Sequence, residues 1–206
     1  MMCVALENYL DSFLAVNTDS PKSGQMPHIP ILKPEKASKE VRDIYDEFHR
    51  RMSFEAPPNF IMTQGHSAPV ARGTWGLVHN VLVLGEIPRW TKEMIFVAIS
   101  NDRNCRYCTA AHIACCRMLG VKPEVLNQLV RDIDSLTDPK VRQMILFALK
   151  CSRNPQSLTD ADYSKLYALG LKQSEALELV AMSGLAVYAN IMADATAMDP
   201  DDIFDA

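Results

Sequence analysis

Between Glu93 and His112 the sequence gathers the residue types that thiol redox chemistry needs: a carboxylate (Glu93), two thiols (Cys105 and Cys108) and an imidazole (His112). Cys105, Cys108 and His112 fall at i, i+3 and i+7, so on a helix they form one stripe. Residues three apart on a helix sit roughly 5 to 6 Å apart between Cβ atoms, and a modest local adjustment closes that gap to a disulfide. Both cysteines fall in the first turn of the expected helix. There the unpaired backbone N–H groups and the helix dipole favour negative charge and lower a thiol's pKa.

The elements that must position these groups are a pair of antiparallel helices, expected over 88–100 and 105–119, joined by the polar turn Asn101-Asp102-Arg103-Asn104. Counting outward from the turn sets Glu93 level with His112, so a carboxylate meets an imidazole. Glu93 shares its helix face with Trp90 and Val97. Apolar neighbours of that kind raise a carboxyl's pKa toward neutrality and suit it to act as a general base. The expected relay runs from Glu93 through His112 to the Cys108 thiol, the nucleophile that attacks a peroxide oxygen. Cys105 then resolves the sulfenic acid into a disulfide.

The rest of the chain reads as helices too. Val41, Ile44, Tyr45 and Phe48 recur at three- and four-residue spacing among charges, predicting an amphipathic helix over 36–52. Further helices are expected over 59–66, 69–84, 123–132, 139–151, 160–168 and 174–198. Pro69, Pro88, Pro123 and Pro139 stand at or near starts, and Gly85, Gly120 and Gly170 just past ends. Alternating apolar and polar segments are nearly absent, so the fold class is all-α. A short helix is expected over 4–16, followed by a stretch rich in Ser, Pro, Gly and Lys. Residues 1–34 therefore read as an N-terminal arm and 35–206 as one helical domain.

With 206 residues, the chain can bury a hydrophobic core without disulfide or metal staples. Its net charge of −4 and the lack of a basic stripe argue against nucleic acid or an anionic membrane surface as partner. No uninterrupted apolar run approaches the roughly 18 residues that span a bilayer, and the first residues lack the basic start of a signal peptide, so a cytoplasmic location is expected. Of six cysteines, Cys105, Cys108, Cys115 and Cys116 crowd one short window. In a reducing compartment such clustering points to chemistry or metal rather than stapling. No phosphate-cradling glycine loop or nucleotide fingerprint is present, so no organic cofactor is expected.

Plainer readings compete. Cys105 and Cys108 could be two core cysteines, or could hold zinc together with His112 and Glu93; no second Cys or His pair of the kind structural zinc draws on is evident, and no metal is expected. A thiol–disulfide exchange protein without significant peroxidase activity and a non-catalytic helical oligomer remain the alternatives to a peroxidase. Cys115 and Cys116 are badly placed to bond each other and read as small core residues. Cys3 and Cys151 carry no functional expectation. His28, His49, His66 and His79 read as ordinary, with His79 weighed as a distant second contributor to the site. Trp75, Leu77, Val81 and Leu84 read as core or subunit-contact positions, and Met182, Met192 and Met198 likewise.

The string Glu93, Cys105-Arg106-Tyr107-Cys108, Thr109-Ala110-Ala111-His112 and Leu119-Gly120 resembles the alkylhydroperoxidase D-like branch of the carboxymuconolactone decarboxylase family. The likeness extends over roughly residues 30–198, through Pro58-Asn59-Phe60, Gly85-Glu86-Ile87-Pro88 and Leu158-Thr159-Asp160-Ala161-Asp162. It implies an all-helical fold, a homotrimer or homohexamer, and peroxide reduction with electrons returned by a thiol reductant such as a dihydrolipoyl carrier. By the same resemblance Cys108 matches the peroxidatic cysteine, Cys105 the resolving one, and Glu93 and His112 the proton relay. One departure marks this chain: Tyr107 stands where the best-known member carries a second histidine between the cysteines. The decarboxylase branch resembles it less, because it lacks the paired cysteines.

Overall fold

Residues 26–201 are described by a computed structural model; the helix expected over 4–16 and Cys3 lie outside them. Among the described residues there is no strand, and the helices follow the punctuation of the sequence closely. Helix α1 (Lys39–Met52) starts where the Ser38 side chain accepts a hydrogen bond from the Val41 N–H, and it buries Val41, Ile44, Tyr45, Phe48 and Met52. Two short helices follow: α2 (Asn59–Gln64) and α3 (Ala68–Leu77). Then come α4 (Arg89–Asp102), α5 (Arg106–Met118), α6 (Pro123–Arg131), α7 (Pro139–Arg153), α8 (Asp160–Ala168) and α9 (Gln173–Ala195). Residues 26–33 run along the body, with the His28 N–H donating to the Thr196 carbonyl and the Leu32 N–H to that of Met62.

Helix α4 is the axis of the fold. Every residue from Thr91 to Ser100 is buried, and α4 packs against α5, α6, α7 and α9. A helix hydrophobic all round has this fate in a globular core. Here the run also carries Lys92 and Glu93, both without exposed surface. Helix α9 is long and apolar enough to cross a bilayer by length and composition, but half of that window is buried, and the helix packs on α4 and α7 as a core element.

The single helix expected over 69–84 is divided. After Leu77 the backbone widens into a π-helical run, Val78–Val83, closed by the Leu84 N–H donating to the His79 carbonyl. The Lys92 ammonium reaches the end of this run, donating to Val81 O at 2.9 Å and to Leu84 O, just past it, at 2.5 Å. It also pairs with Glu178 Oε2 of α9 at 2.7 Å. Glu178 in turn accepts from the N–H groups of Glu86 (2.6 Å) and Ile87 (3.2 Å), gripping the tight turn that Gly85 makes at φ 112°. Burial pushes the Glu178 carboxyl up, but those amides and Lys92 outweigh it and hold it below its ordinary value. One ion pair, with Lys92 buried and Glu178 partly so, thus ties the π turn, the loop before α4 and the core helix α9 together.

Removing one member of such a pair strands its partner. Lys92→Met is expected to destabilise the protein by about 3 kcal/mol or more, and Lys92→Met with Glu178→Gln by clearly less. Denaturant unfolding of the three proteins checks this, and equal losses for the single and double variants would show that the pair does not act as a unit.

Candidate active site

The α4–α5 hairpin is set by one left-handed residue. Asn104 takes φ 59°, its N–H donates to Asn101 O at 3.1 Å, and the Cys105 N–H donates to Ser100 O at 2.9 Å. These two bonds form the Schellman closure of α4, with asparagine in the place glycine often fills. The chain leaves that closure with Cys105 as the N-cap of α5 and Cys108 in its first turn. A short polar turn therefore does two jobs, ending one helix and delivering the first sulfur to the mouth of the next.

Opposite, the expected carboxylate–imidazole contact is present. Glu93 Oε2 lies 2.5 Å from His112 Nδ1. The His112 ring is stacked on Phe96, with centroids 3.5 Å apart and planes 14° from parallel. Glu93 is not surrounded by apolar groups alone, as the sequence suggested: Arg89, one turn earlier on α4, donates from Nε to Glu93 Oε1 at 3.2 Å. Each carboxylate oxygen thus has its own donor, which is what allows a carboxylate to sit in the core. Trp90, expected on the Glu93 face, is partly exposed instead. Arg89 also places Nη2 3.6 Å from Met52 Sδ, linking the site to α1.

The two expected redox cysteines stand together, both reduced and both buried, Cys105 at 0% and Cys108 at 2% exposure. The helix N-terminus does not lower the Cys105 thiol as expected. Its hydrogen bond with the Cys108 sulfur, and then burial, push it far above the ordinary thiol value. A helix dipole offers about half a charge, and the bond to Cys108 together with the loss of water outweighs it here. Cys105 is therefore held protonated.

Cys108 and His112 face a common cavity of about 50 Å³, walled by Phe48, Phe54, Phe60 and Phe96 among others. Its volume admits one or two water-sized groups. Cys115, expected only as a core residue, lines the same cavity one turn beyond His112. Burial, and then the Glu93 carboxylate, push the Cys115 thiol well above its ordinary value; Cys116, wholly buried, shifts the same way for the same reasons. His79 takes no part in the cavity, stacking instead toward Trp75 with centroids 5.1 Å apart. Trp75 is core, whereas Leu77 and Leu84 are exposed.

Tyr107, between the cysteines, closes the far end. Its hydroxyl donates to Asp201 Oδ2 at 2.5 Å and accepts from the Phe60 N–H at 3.0 Å. Asp201 also accepts from the Asn59 N–H at 2.8 Å, while the Asn59 amide donates to the carbonyls of Asp199 and Pro200. Nothing local in the sequence joins residue 107 to residue 201, so this clasp was invisible there. Arg89 and Phe96 could have been found, being one turn either side of Glu93 on the same helix.

Residues 68–150, which hold all four expected site residues, match the carboxymuconolactone decarboxylase family. A peroxidase-related protein from Ralstonia eutropha, described as an alkylhydroperoxidase AhpD core, superposes with a TM-score of 0.80 at 26% identity, covering 88% of this chain and 96% of its own. Its fold is AhpD-like. A peroxidase-related protein from Silicibacter shares the fold of this AhpD-like chain at TM-score 0.77 and 22% identity, covering 91% of this chain and 97% of its own. The debrominase Bmp8 shares it at TM-score 0.73 and 18% identity, covering 86% and 94%. The alkyl hydroperoxide reductase Rv2159c of Mycobacterium tuberculosis is 27% identical over 85 residues, 41% of this chain; the matched segment is 24% of that protein's length.

Two outcomes follow for the AhpD-like site. Tyr107→Phe is expected to cost about 1 to 3 kcal/mol, since it strips the buried Phe60 N–H of its acceptor; thermal melting against the parent measures it. Cys105, Cys115, Cys116 and Tyr107 all titrate higher folded than unfolded. Above about pH 8.5, where an unfolded thiol ionises, the unfolded chain therefore holds fewer protons than the native one, so stability falls as pH rises. Melting temperatures between pH 7 and 10 should decline in the wild type and decline less in Cys116→Ala.

Proposed function

We propose that the chain is a thiol-dependent peroxidase that reduces hydrogen peroxide or small organic hydroperoxides through a Cys105/Cys108 dithiol–disulfide cycle. The observation that carries this reading is the Glu93–His112 hydrogen bond of 2.5 Å, set one turn from Cys108 on the wall of a shared cavity. Glu93 orients the imidazole through Nδ1, which leaves Nε2 to exchange a proton with the cavity. His112 takes the Cys108 proton, the Cys108 sulfur attacks a peroxide oxygen, and the O–O bond breaks. The proton returns through His112 to the leaving alkoxide or hydroxide, releasing an alcohol or water and leaving Cys108 as a sulfenic acid. Cys105, held protonated beside it, then forms the S–S bond, and its proton leaves with the sulfenic hydroxyl as water. A dithiol donor of the dihydrolipoyl type reduces the disulfide and is itself oxidised.

The cavity's aromatic walls and small volume favour a compact, apolar hydroperoxide and a slender dithiol. The same confinement argues against exchange with a bulky protein disulfide. The names of the similar Ralstonia and Mycobacterium proteins support peroxidase-type chemistry, while the debrominase shows that this fold carries other reactions.

Stopped-flow consumption of hydrogen peroxide and of ethyl hydroperoxide by the reduced protein tests the proposal. Cys108→Ser is expected to abolish turnover, and Cys105→Ser to form a sulfenic acid once and stop. Glu93→Gln should lower the rate by roughly 10² to 10⁴-fold with the thiols intact. Equal, peroxide-insensitive behaviour of all four proteins would end the peroxidase reading.

A further inference from the structure

Cys115 has no role in the thiol cycle. It lies seven residues from Cys108 on α5, a rise of about 10 Å at about 1.5 Å per residue, whereas a disulfide needs Cα atoms about 4.4 to 6.8 Å apart. Yet its sulfur does not simply fill the core. The Cys115 Sγ, a ring nitrogen of His112 and a carboxylate oxygen of Glu93 all lie within 4.8 Å of one another. His112 and Cys115 stand at i, i+3 on one helix and Glu93 reaches in from the facing helix α4. That arrangement, two ligands from one helix turn and a carboxylate from its neighbour, is how helical bundles build metal centres.

We infer that Glu93, His112 and Cys115 form an inhibitory binding site for a borderline-soft divalent cation, zinc above all. One thiolate, one imidazole and one carboxylate are a zinc donor set, and three protein ligands leave a fourth position open. Zinc bonds of about 2.0 to 2.3 Å set tetrahedral donors about 3.3 to 3.8 Å apart, so side-chain shifts of about 1 Å close the set. The cavity that His112 and Cys115 line supplies space for a water at the fourth position. Binding displaces the Cys115 proton and the proton shared by His112 and Glu93, both released to solvent. This is not the set the spacing suggested. The two thiols of the redox pair share a hydrogen bond, and it is the third thiol that meets the relay.

The inference deepens the peroxidase reading and rests on it for its regulatory half: a cation held there occupies both relay residues and stops proton transfer to Cys108. Cobalt(II) and zinc titrations of the full reduced chain, kept reduced with a phosphine, test it. Wild type and the peroxidase-dead Cys105→Ser/Cys108→Ser variant are both expected to show thiolate-to-cobalt absorption at one equivalent, displaced by zinc. Cys115→Ser and Cys115→Ala, checked for native circular dichroism, should lose that absorption. In turnover assays zinc should suppress the wild type reversibly by chelator, while Cys115→Ser, measured against its own zinc-free rate, needs roughly tenfold more zinc or higher for the same fractional inhibition. Absorption that survives in both Cys115 variants, that vanishes in the redox-pair variant, or that never develops overturns the site. Stoichiometric zinc that leaves wild-type turnover untouched overturns the inhibition. A wild type that binds cobalt through Cys115 but consumes no peroxide keeps the metal site and fails the peroxidase reading alone.

Discussion

Everything at the centre of this protein turns on one carboxylate kept out of water. Glu93 sits on a helix whose middle ten residues are buried without a break, and an ionised carboxyl persists there only when both oxygens are satisfied. Arg89 meets one oxygen and His112 the other. The second bond fixes the imidazole's position, and Phe96 fixes its plane by stacking. The requirement to compensate a buried charge is thus what orients the ring beside Cys108.

The thiols follow a complementary logic. The hydrogen bond with Cys108, and then burial, keep Cys105 neutral, and burial keeps Cys115 and Cys116 so; most of the sulfur in this window is silent at neutral pH. Reactivity is a matter of which sulfur shares open space with the imidazole, and the aromatic cavity grants that to Cys108 and Cys115. Their separation by two helical turns gives them different chemistry. Cys108 has Cys105 beside it, as the proposed cycle requires, while Cys115 stands beside Glu93 and His112.

Two polar devices hold the frame. Lys92 and Glu178 pin the π turn and the loop before α4 to α9, so the helix that carries Glu93 cannot slide against its neighbours. Tyr107 and Asp201 tie the first turn of α5 to the start of α2 and to the chain beyond α9. In the AhpD-like pattern Tyr107 stands where another member carries histidine. In this chain the position serves architecture: its hydroxyl is engaged by the Phe60 N–H and the Asp201 carboxylate.

Local spacing was enough to read the all-α class, the helix boundaries near each proline and glycine, and the hairpin that levels Glu93 with His112, because a regular helix converts residue counts directly into faces and heights. It also placed Cys105 and Cys108 at one helix mouth. The π widening after Leu77, the ion pair of Lys92 with Glu178, the clasp of Tyr107 with Asp201 and the approach of Cys115 to the relay were beyond it. Each depends on which groups are denied water once the helices pack, and on what distant partner then satisfies them. Periodicity fixes directions along one helix, whereas solvation is settled only among several.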